Sequence, residues 1–342
     1  MVAAPGNFNF DDMSTLLASP PPGKTTQLSG RIPTLDGWRG IAILLVLVNH
    51  FRVASGPEDW SYYLGQQGVA IFFVLSGYLI SSNLLRERET NGKIALPRFY
   101  MRRFLRLAPT AICYLLFVKL VMRVRILPAL FFYRNYVEGS AFTGQFWSLS
   151  IEEQFYLAWP LFLVALRPRV ALGVALGGAF SVAAWRFFST QEMMYTYWWG
   201  TARTQYRADA LLLGCALAIL MRWTRARAII SKIPLIPVLM VLGGCMLYFR
   251  LEIPLGESVL IALVLGATSL LQAGHPVRRA LEWMPLAWLG RVSYSVYVWQ
   301  QLPAYISPHR SEHLFAKLAV LSVLVLGNYY LIENPFRNLR LT

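Results

Sequence analysis

Charge is scarce in this sequence. Asp, Glu, Lys and Arg make up 14% of its 342 residues, where a soluble globular domain carries roughly 25%. That scarcity argues against a water-soluble enzyme. Cysteine is scarcer still: 3 residues, an odd number, give neither a disulfide framework nor the spacing of a metal site. Cys113, Cys215 and Cys245 all lie in apolar runs and read as small core hydrophobes. No metal ligand set is expected. Acidic residues are outnumbered, 17 against 32 basic, for a formal charge of +15. A secretory signal is missing too. Asp11 and Asp12 occupy the place of its positive start, and no apolar run of signal length follows. No internal repeat is visible, which weakens a transporter reading.

Apolar sequence is abundant: 56% of residues are hydrophobic and mean hydropathy is +0.46. Residues 1–34, with Ala18-Ser19-Pro20-Pro21-Pro22-Gly23, read as a flexible cytoplasmic tail. From Trp38 onward apolar segments recur near 38–56, 64–85, 104–122, 146–166, 170–188, 208–222, 235–250, 257–273, 286–305 and 314–333. The expected fold is all-α, a polytopic membrane bundle of about ten transmembrane helices filling 35–337, with a short tail over 338–342 and no extra-membrane globular domain. With the amino terminus inside, Lys and Arg of the inner connections and tails outnumber those outside roughly two to one, so both termini are expected in the cytoplasm. The basic excess then sets topology, and a nucleic-acid partner is not needed.

Polar residues inside apolar segments are costly and usually functional. Arg39 and His50 are eleven apart in the first segment, which puts both on one helix stripe about 16 Å apart. Asp36 precedes Arg39 by three and can pair with it. An imidazole there suits a general base, or a structural hydrogen bond. Ser76-Gly77 reads first as a close-packing pair. Arg102 and Arg106 are four apart, with Arg103 beside them; they read as membrane anchors or as a phosphate clamp. Glu152, five residues past Trp147, descends from the outer boundary toward the level of His50, where the two could meet. Arg207 and Asp209, two apart, do not face each other. Ser293, Tyr297 and Gln300 form one stripe. Glu333 and Arg337 read as a structural ion pair.

Taken in order, these pieces resemble a known family. They are Leu35-Asp36-Gly37-Trp38-Arg39-Gly40-Ile41-Ala42 running to His50, Phe72-Phe73-Val74-Leu75-Ser76-Gly77-Tyr78-Leu79-Ile80, Arg102-Arg103-Phe104-Leu105-Arg106, Trp147-Ser148-Leu149-Ser150-Ile151-Glu152-Glu153-Gln154-Phe155-Tyr156-Leu157, Arg207-Ala208-Asp209-Ala210, Leu289-Gly290-Arg291-Val292-Ser293-Tyr294-Ser295 and Ile332-Glu333-Asn334-Pro335. The set resembles the acyltransferase-3 family, multi-pass bacterial membrane O-acyltransferases of surface polysaccharides and other sugars.

The resemblance implies an acyl-CoA donor, usually acetyl-CoA, and no permanently bound cofactor. It implies a hydroxyl acceptor on a carbohydrate or lipid-linked glycan. By the same resemblance, Arg39 and His50 form the family's arginine–histidine motif. Arg102, Arg103 and Arg106 form its arginine-rich motif, and Glu152 its acidic position. His50 and Glu152 are thus the expected catalytic pair, and Arg39, Arg102, Arg103 and Arg106 the donor-binding set. Asp36, Ser76, Trp147, Arg207, Asp209, Tyr297 and Gln300 are candidates for substrate contact. Where family members often read Trp-His, this chain has Trp299-Gln300. The family's optional hydrolase-like domain is not expected, because the chain stops at Thr342. A bacterial inner-membrane location follows from the resemblance, with membrane lipids as neighbours. A transporter of a lipid-linked glycan or of the acyl group is the alternative.

Overall fold

The computed structural model describes residues 32–51, 60–193, 202–244, 255–306 and 313–339. The expected tail over 1–34 lies outside these residues up to Arg31, as do Cys245 and the last three residues of the 338–342 tail. Ten principal helices carry the described chain: α1 (Pro33–Phe51), α2 (Trp60–Asn91), α3 (Leu96–Val121), α4 (Phe146–Ala165), α5 (Pro168–Met193), α6 (Thr204–Leu220), α7 (Leu235–Gly244), α8 (Gly256–Ser269), α9 (Met284–Trp299) and α10 (Leu314–Asn328). Shorter helical pieces join them, and no strand occurs among the described residues.

Each of the ten apolar segments thus carries helix, but ten membrane crossings do not follow. Among the described residues, four helices are long and apolar enough to cross: Ser61–Asn91, Leu96–Val121, Pro168–Ser189 and Leu314–Arg337. The pair Thr224–Ile230 and Leu235–Gly243, bent by 67°, makes a fifth if taken as one span. The expected count of about ten crossings is not confirmed: four or five candidate spans occur among the described residues. The reason is local: Asp36, Arg39 and His50 interrupt α1, Glu152 and Glu153 interrupt α4, and α8 has only 14 residues. The chain is a multi-pass membrane protein.

Helices α9, α1, α2, α6 and α5 pack side by side in that order, with α8 against α6 and α2, α4 against α2, and α3 against α9. Missing side chains permit this closeness. Gly77 of α2 lies against the carbonyl of Leu211 on α6, and Gly214 of α6 against the carbonyl of Val74 on α2. At the other seam, Gly290 of α9 meets the backbone of Asp36, and Gly40 of α1 meets Leu286. Such small-residue contacts hold helices together where lipid offers no hydrophobic contrast. Buried indole bonds add register: Trp38 Nε1 donates to Thr268 Oγ1 at 2.9 Å and Trp159 Nε1 to Ser81 Oγ at 2.8 Å.

Burial separates the inner helix from the outer ones. The apolar stretch of α2 is 67% buried, whereas α3, α5 and the α10 segment are each 28% buried. Leu120, Phe188, Phe315 and Leu331 present bare apolar surface on those outer helices, as a lipid-facing wall requires.

Gly214→Val is expected to cost about 1–3 kcal/mol or more through overpacking against α2. Gly177→Ala, which meets nothing within 4 Å, should stay near neutral. Thermal scans of the two variants in detergent check this, and equal stability would contradict the close seam.

Candidate active site

Helices α1, α2, α3, α4 and α9 enclose a cavity of about 620 Å³, within the range of small-molecule and cofactor sites. It follows α2 from Val69 to Asn91, about 33 Å of helix. Its chemistry changes along that length. One end is cationic, with Arg86, Arg98 and Arg102 around Phe99. The middle holds Arg39, Arg103, Arg106, Glu152 and Tyr156, with Ser76 on α2. The far end is closed by Phe72, Phe73, Ser148, Ser293 and Tyr297. Six arginines face two glutamates, Glu87 and Glu152, so the cavity suits an anionic ligand.

The arginines are not equivalent. Arg103 is already engaged: its guanidinium donates to Glu153 at 2.6 Å, lies 3.8 Å from Glu152, and stacks on the Tyr156 ring at 3.2 Å. Arg39 pairs with Asp36 at 3.0 Å, the i, i+3 contact expected from spacing. Arg102 reaches Glu87 at 3.5 Å. Arg98 and Arg106 line the cavity with no hydrogen bond or ion pair among the described residues, so their donors face the space. Arg98 was overlooked in the sequence, although it continues the four-residue stripe of Arg102 and Arg106.

Glu152 accepts from the Tyr156 hydroxyl at 3.4 Å and lies in the cavity wall. His50 does not line this cavity, whereas Glu152 does, so the meeting that depth left open is not seen there. The half-buried imidazole instead uses Nδ1 toward the Val46 carbonyl at 2.9 Å and Nε2 toward the Gln301 amide at 3.0 Å. On α9, the chain passes from Ser293 to Tyr297 along the cavity and reaches His50 only at Gln301, just past the end of the helix. On the α4 side, Gly144 and Gln145 reach that level, and Glu152 is about 10 Å further along the axis.

A short polar layer joins the two levels. The Tyr297 hydroxyl bonds Ser148 Oγ and donates to the Gln145 carbonyl at 3.2 Å. Gln145 Nε2 donates to the Val298 carbonyl at 2.7 Å.

The remaining candidates lie elsewhere. Asp36 is buried beside Arg39 and outside the cavity lining. Asp209 is 1% exposed and bound to Arg186 of α5 at 3.1 Å and to the Ser258 hydroxyl at 3.1 Å, a structural pairing that spacing could not reveal. Arg207 and Trp147 line a second, water-sized cavity with Asp209 and Glu257. The Phe73 ring meets Trp147 edge-on between the two cavities. Gln300 is fully buried, and its side-chain amide has no hydrogen-bond partner. The stripe of Ser293 and Tyr297 therefore ends before Gln300. Glu333 and Arg337 approach to 3.9 Å, while Ser295 donates a stronger bond to Glu333 at 2.5 Å inside a π-helical turn, Tyr329–Glu333. No group of three or more His, Cys, Asp or Glu among the described residues is arranged to hold a metal ion.

A model of the acyltransferase domain matches residues 32–331. The chain belongs to the acyltransferase-3 family. It is 30% identical over 325 residues to the peptidoglycan O-acetyltransferase of Listeria monocytogenes, covering 81% of this chain and 50% of that protein. It is 30% identical over 371 residues to a putative peptidoglycan O-acetyltransferase of Bacillus subtilis, covering 91% and 56%. A putative O-acetyltransferase of Staphylococcus aureus is 29% identical over 364 residues, covering 90% and 57%. The chain thus spans about half the length of the curated relatives it matches. No solved structure matches.

Asp209→Ala should cost about 3–5 kcal/mol, because it strands Arg186 in the bundle. The Arg186→Met, Asp209→Leu pair should recover part of that loss. Thermal midpoints of the purified variants check this, and an Asp209→Ala protein as stable as the parent would contradict the pairing.

Proposed function

We propose that the chain is a membrane O-acyltransferase that moves an acyl group, acetyl first among the options, from acyl-CoA to a hydroxyl of a carbohydrate or lipid-linked glycan. The observation that carries this reading is the arginine-lined cavity of about 620 Å³ in a chain of the acyltransferase-3 family. Phosphate oxygens fit the unengaged donors of Arg98 and Arg106, since a guanidinium meets them with two parallel N–H groups. Phe99 beside Arg98 offers a flat apolar face for the base of a nucleotide. The pantetheine arm then follows α2 toward Ser148 and Tyr297, bringing the thioester to the closed end. The basic connections support a cytoplasmic mouth at Arg86, Arg98 and Arg102. The names of the relatives support O-acetylation, with peptidoglycan as one carbohydrate acceptor.

In this reading His50 is the general base. Its Nε2 takes the proton of the acceptor hydroxyl while that oxygen bonds to the thioester carbonyl carbon. The carbon–sulfur bond breaks, and the imidazolium returns the proton to the leaving thiolate. The polar layer of Ser148, Tyr297 and Gln145 lies between the thioester end and His50, so it must open during the transfer. Glu152 with Arg103 and Tyr156 fixes the cavity wall and its charge.

His50→Ala is expected to lower transfer by about 10²–10⁴-fold, measured with radiolabelled acetyl-CoA and a soluble peptidoglycan fragment on purified protein without a membrane gradient. Turnover near that of the parent would remove His50 from the chemistry. Gradient-dependent flux with no transfer would replace the enzyme by a transporter.

A further inference from the structure

The contact between His50 and Gln301 fixes more than a position. A backbone carbonyl can only accept, so the Nδ1 atom facing Val46 carries the ring proton. In the neutral ring Nε2 is then the lone pair, and it meets the amide nitrogen of Gln301 at 3.0 Å, which donates to it. The resting site therefore holds the basic nitrogen capped by an N–H. The hydrogen-bond partners of the two ring nitrogens set the tautomer, and Val46 and Gln301 are such partners among the described residues.

The amide is held at one end only. Gln301 is 3% exposed, yet its Oε1 has no hydrogen-bond partner. A buried carbonyl oxygen left alone costs free energy, so such an atom needs a reason. Beside it, Gly144 carries no side chain: a Cβ there would sit 3.4 Å from Gln301 Nε2. No side chain from Gly144 crowds the amide on that side.

We propose that Gln301 marks the binding site of the acceptor hydroxyl, its amide N–H standing where the alcohol oxygen will sit. This rests on the reading of His50 as the base. When an alcohol enters, the amide moves back by about 1.5–2 Å, one hydrogen-bond length being replaced by two. The hydroxyl oxygen then accepts from Gln301 Nε2–H and donates its own proton to His50 Nε2. The Gln301 amide thus caps Nε2 in the resting state and orients the oxygen lone pair in the loaded one. After proton transfer, the imidazolium needs an acceptor, and the amide turns to offer the Oε1 that has no partner at rest. The ligand class is an alcohol, primary or secondary, carried on the acceptor.

The test uses the full chain in detergent, labelled with 15N-histidine. There are 4 histidines, so the His50 signals are assigned by their loss in His50→Gln. The expected spectrum shows the Nδ1–H tautomer at His50 in the parent and in Gln301→Met, which keeps the length of the side chain, but with the Nε2 resonance shifted in the variant because the N–H that caps it is gone. Transfer from acetyl-CoA to a soluble peptidoglycan fragment should fall about tenfold or more in kcat for Gln301→Met, with the acetyl-CoA KM unchanged. Gln301→Glu should be no better, because a carboxylate has no N–H to donate. Thermal midpoints near the parent's certify folding. Parent-like kcat and a parent-like His50 Nε2 resonance in both variants, with His50→Ala inactive, would overturn the role of Gln301 while leaving the base in place. An active His50→Ala would instead remove the base reading and this inference with it.

Discussion

A charge inside an apolar bundle must find its counter-charge, and the site is organised by that demand. Arg103 sits on a helix whose other faces meet lipid. It is held by Glu153 at 2.6 Å, by the nearby Glu152 and by the face of Tyr156. These contacts tie α3 to α4 and make the wall of the cavity. Removing one member strands the others where water is sparse, which costs more than the pair gains. The same rule accounts for Arg39 on Asp36 and for Arg186 on Asp209. Arg98 and Arg106 have no hydrogen bond or ion pair among the described residues, and they line the cavity.

The close seams serve that arrangement. Gly290 against the backbone of Asp36 brings α9 onto α1, which sets Tyr297 and Gln301 at the levels of the cavity end and of His50. Gly77 against Leu211 lets α6 approach α2 while Ser76, one residue back, still reaches the cavity. The small pair at Ser76-Gly77 thus has a divided use: the glycine packs and the serine lines. Along α2 the cavity runs from an aromatic end to a cationic one, the gradient on which the proposed donor orientation rests.

Much of this was legible in the sequence, where the argument stayed within one helix. Four-residue spacing gathered Arg102 and Arg106, three-residue spacing paired Asp36 with Arg39, and scarce charge marked a membrane bundle. Contacts between helices were not legible, because they depend on rotations that spacing does not encode. Asp209 was read as turned away from Arg207, but spacing could not name its partner, Arg186 of another helix. Depth left open whether Glu152 meets His50, and it lies near Arg103. Gln300 was chosen from the stripe of α9, but the helix ends at Trp299 and the next turn delivers Gln301 to His50. The number of crossings was less legible, since an apolar segment is easily seen while its length and its interior carboxylates decide whether it qualifies as a span.

The central claim is that the arginine-lined cavity takes an anionic acyl donor, and donor binding tests it without any acceptor. Equilibrium binding of radiolabelled acetyl-CoA to the purified chain should be saturable, with one site per chain, and should weaken as salt rises. It should fall by about tenfold or more when Arg98 and Arg106 are both replaced by Ala. Binding that is absent, or that is indifferent to salt and to the loss of both guanidinium groups, would contradict the account.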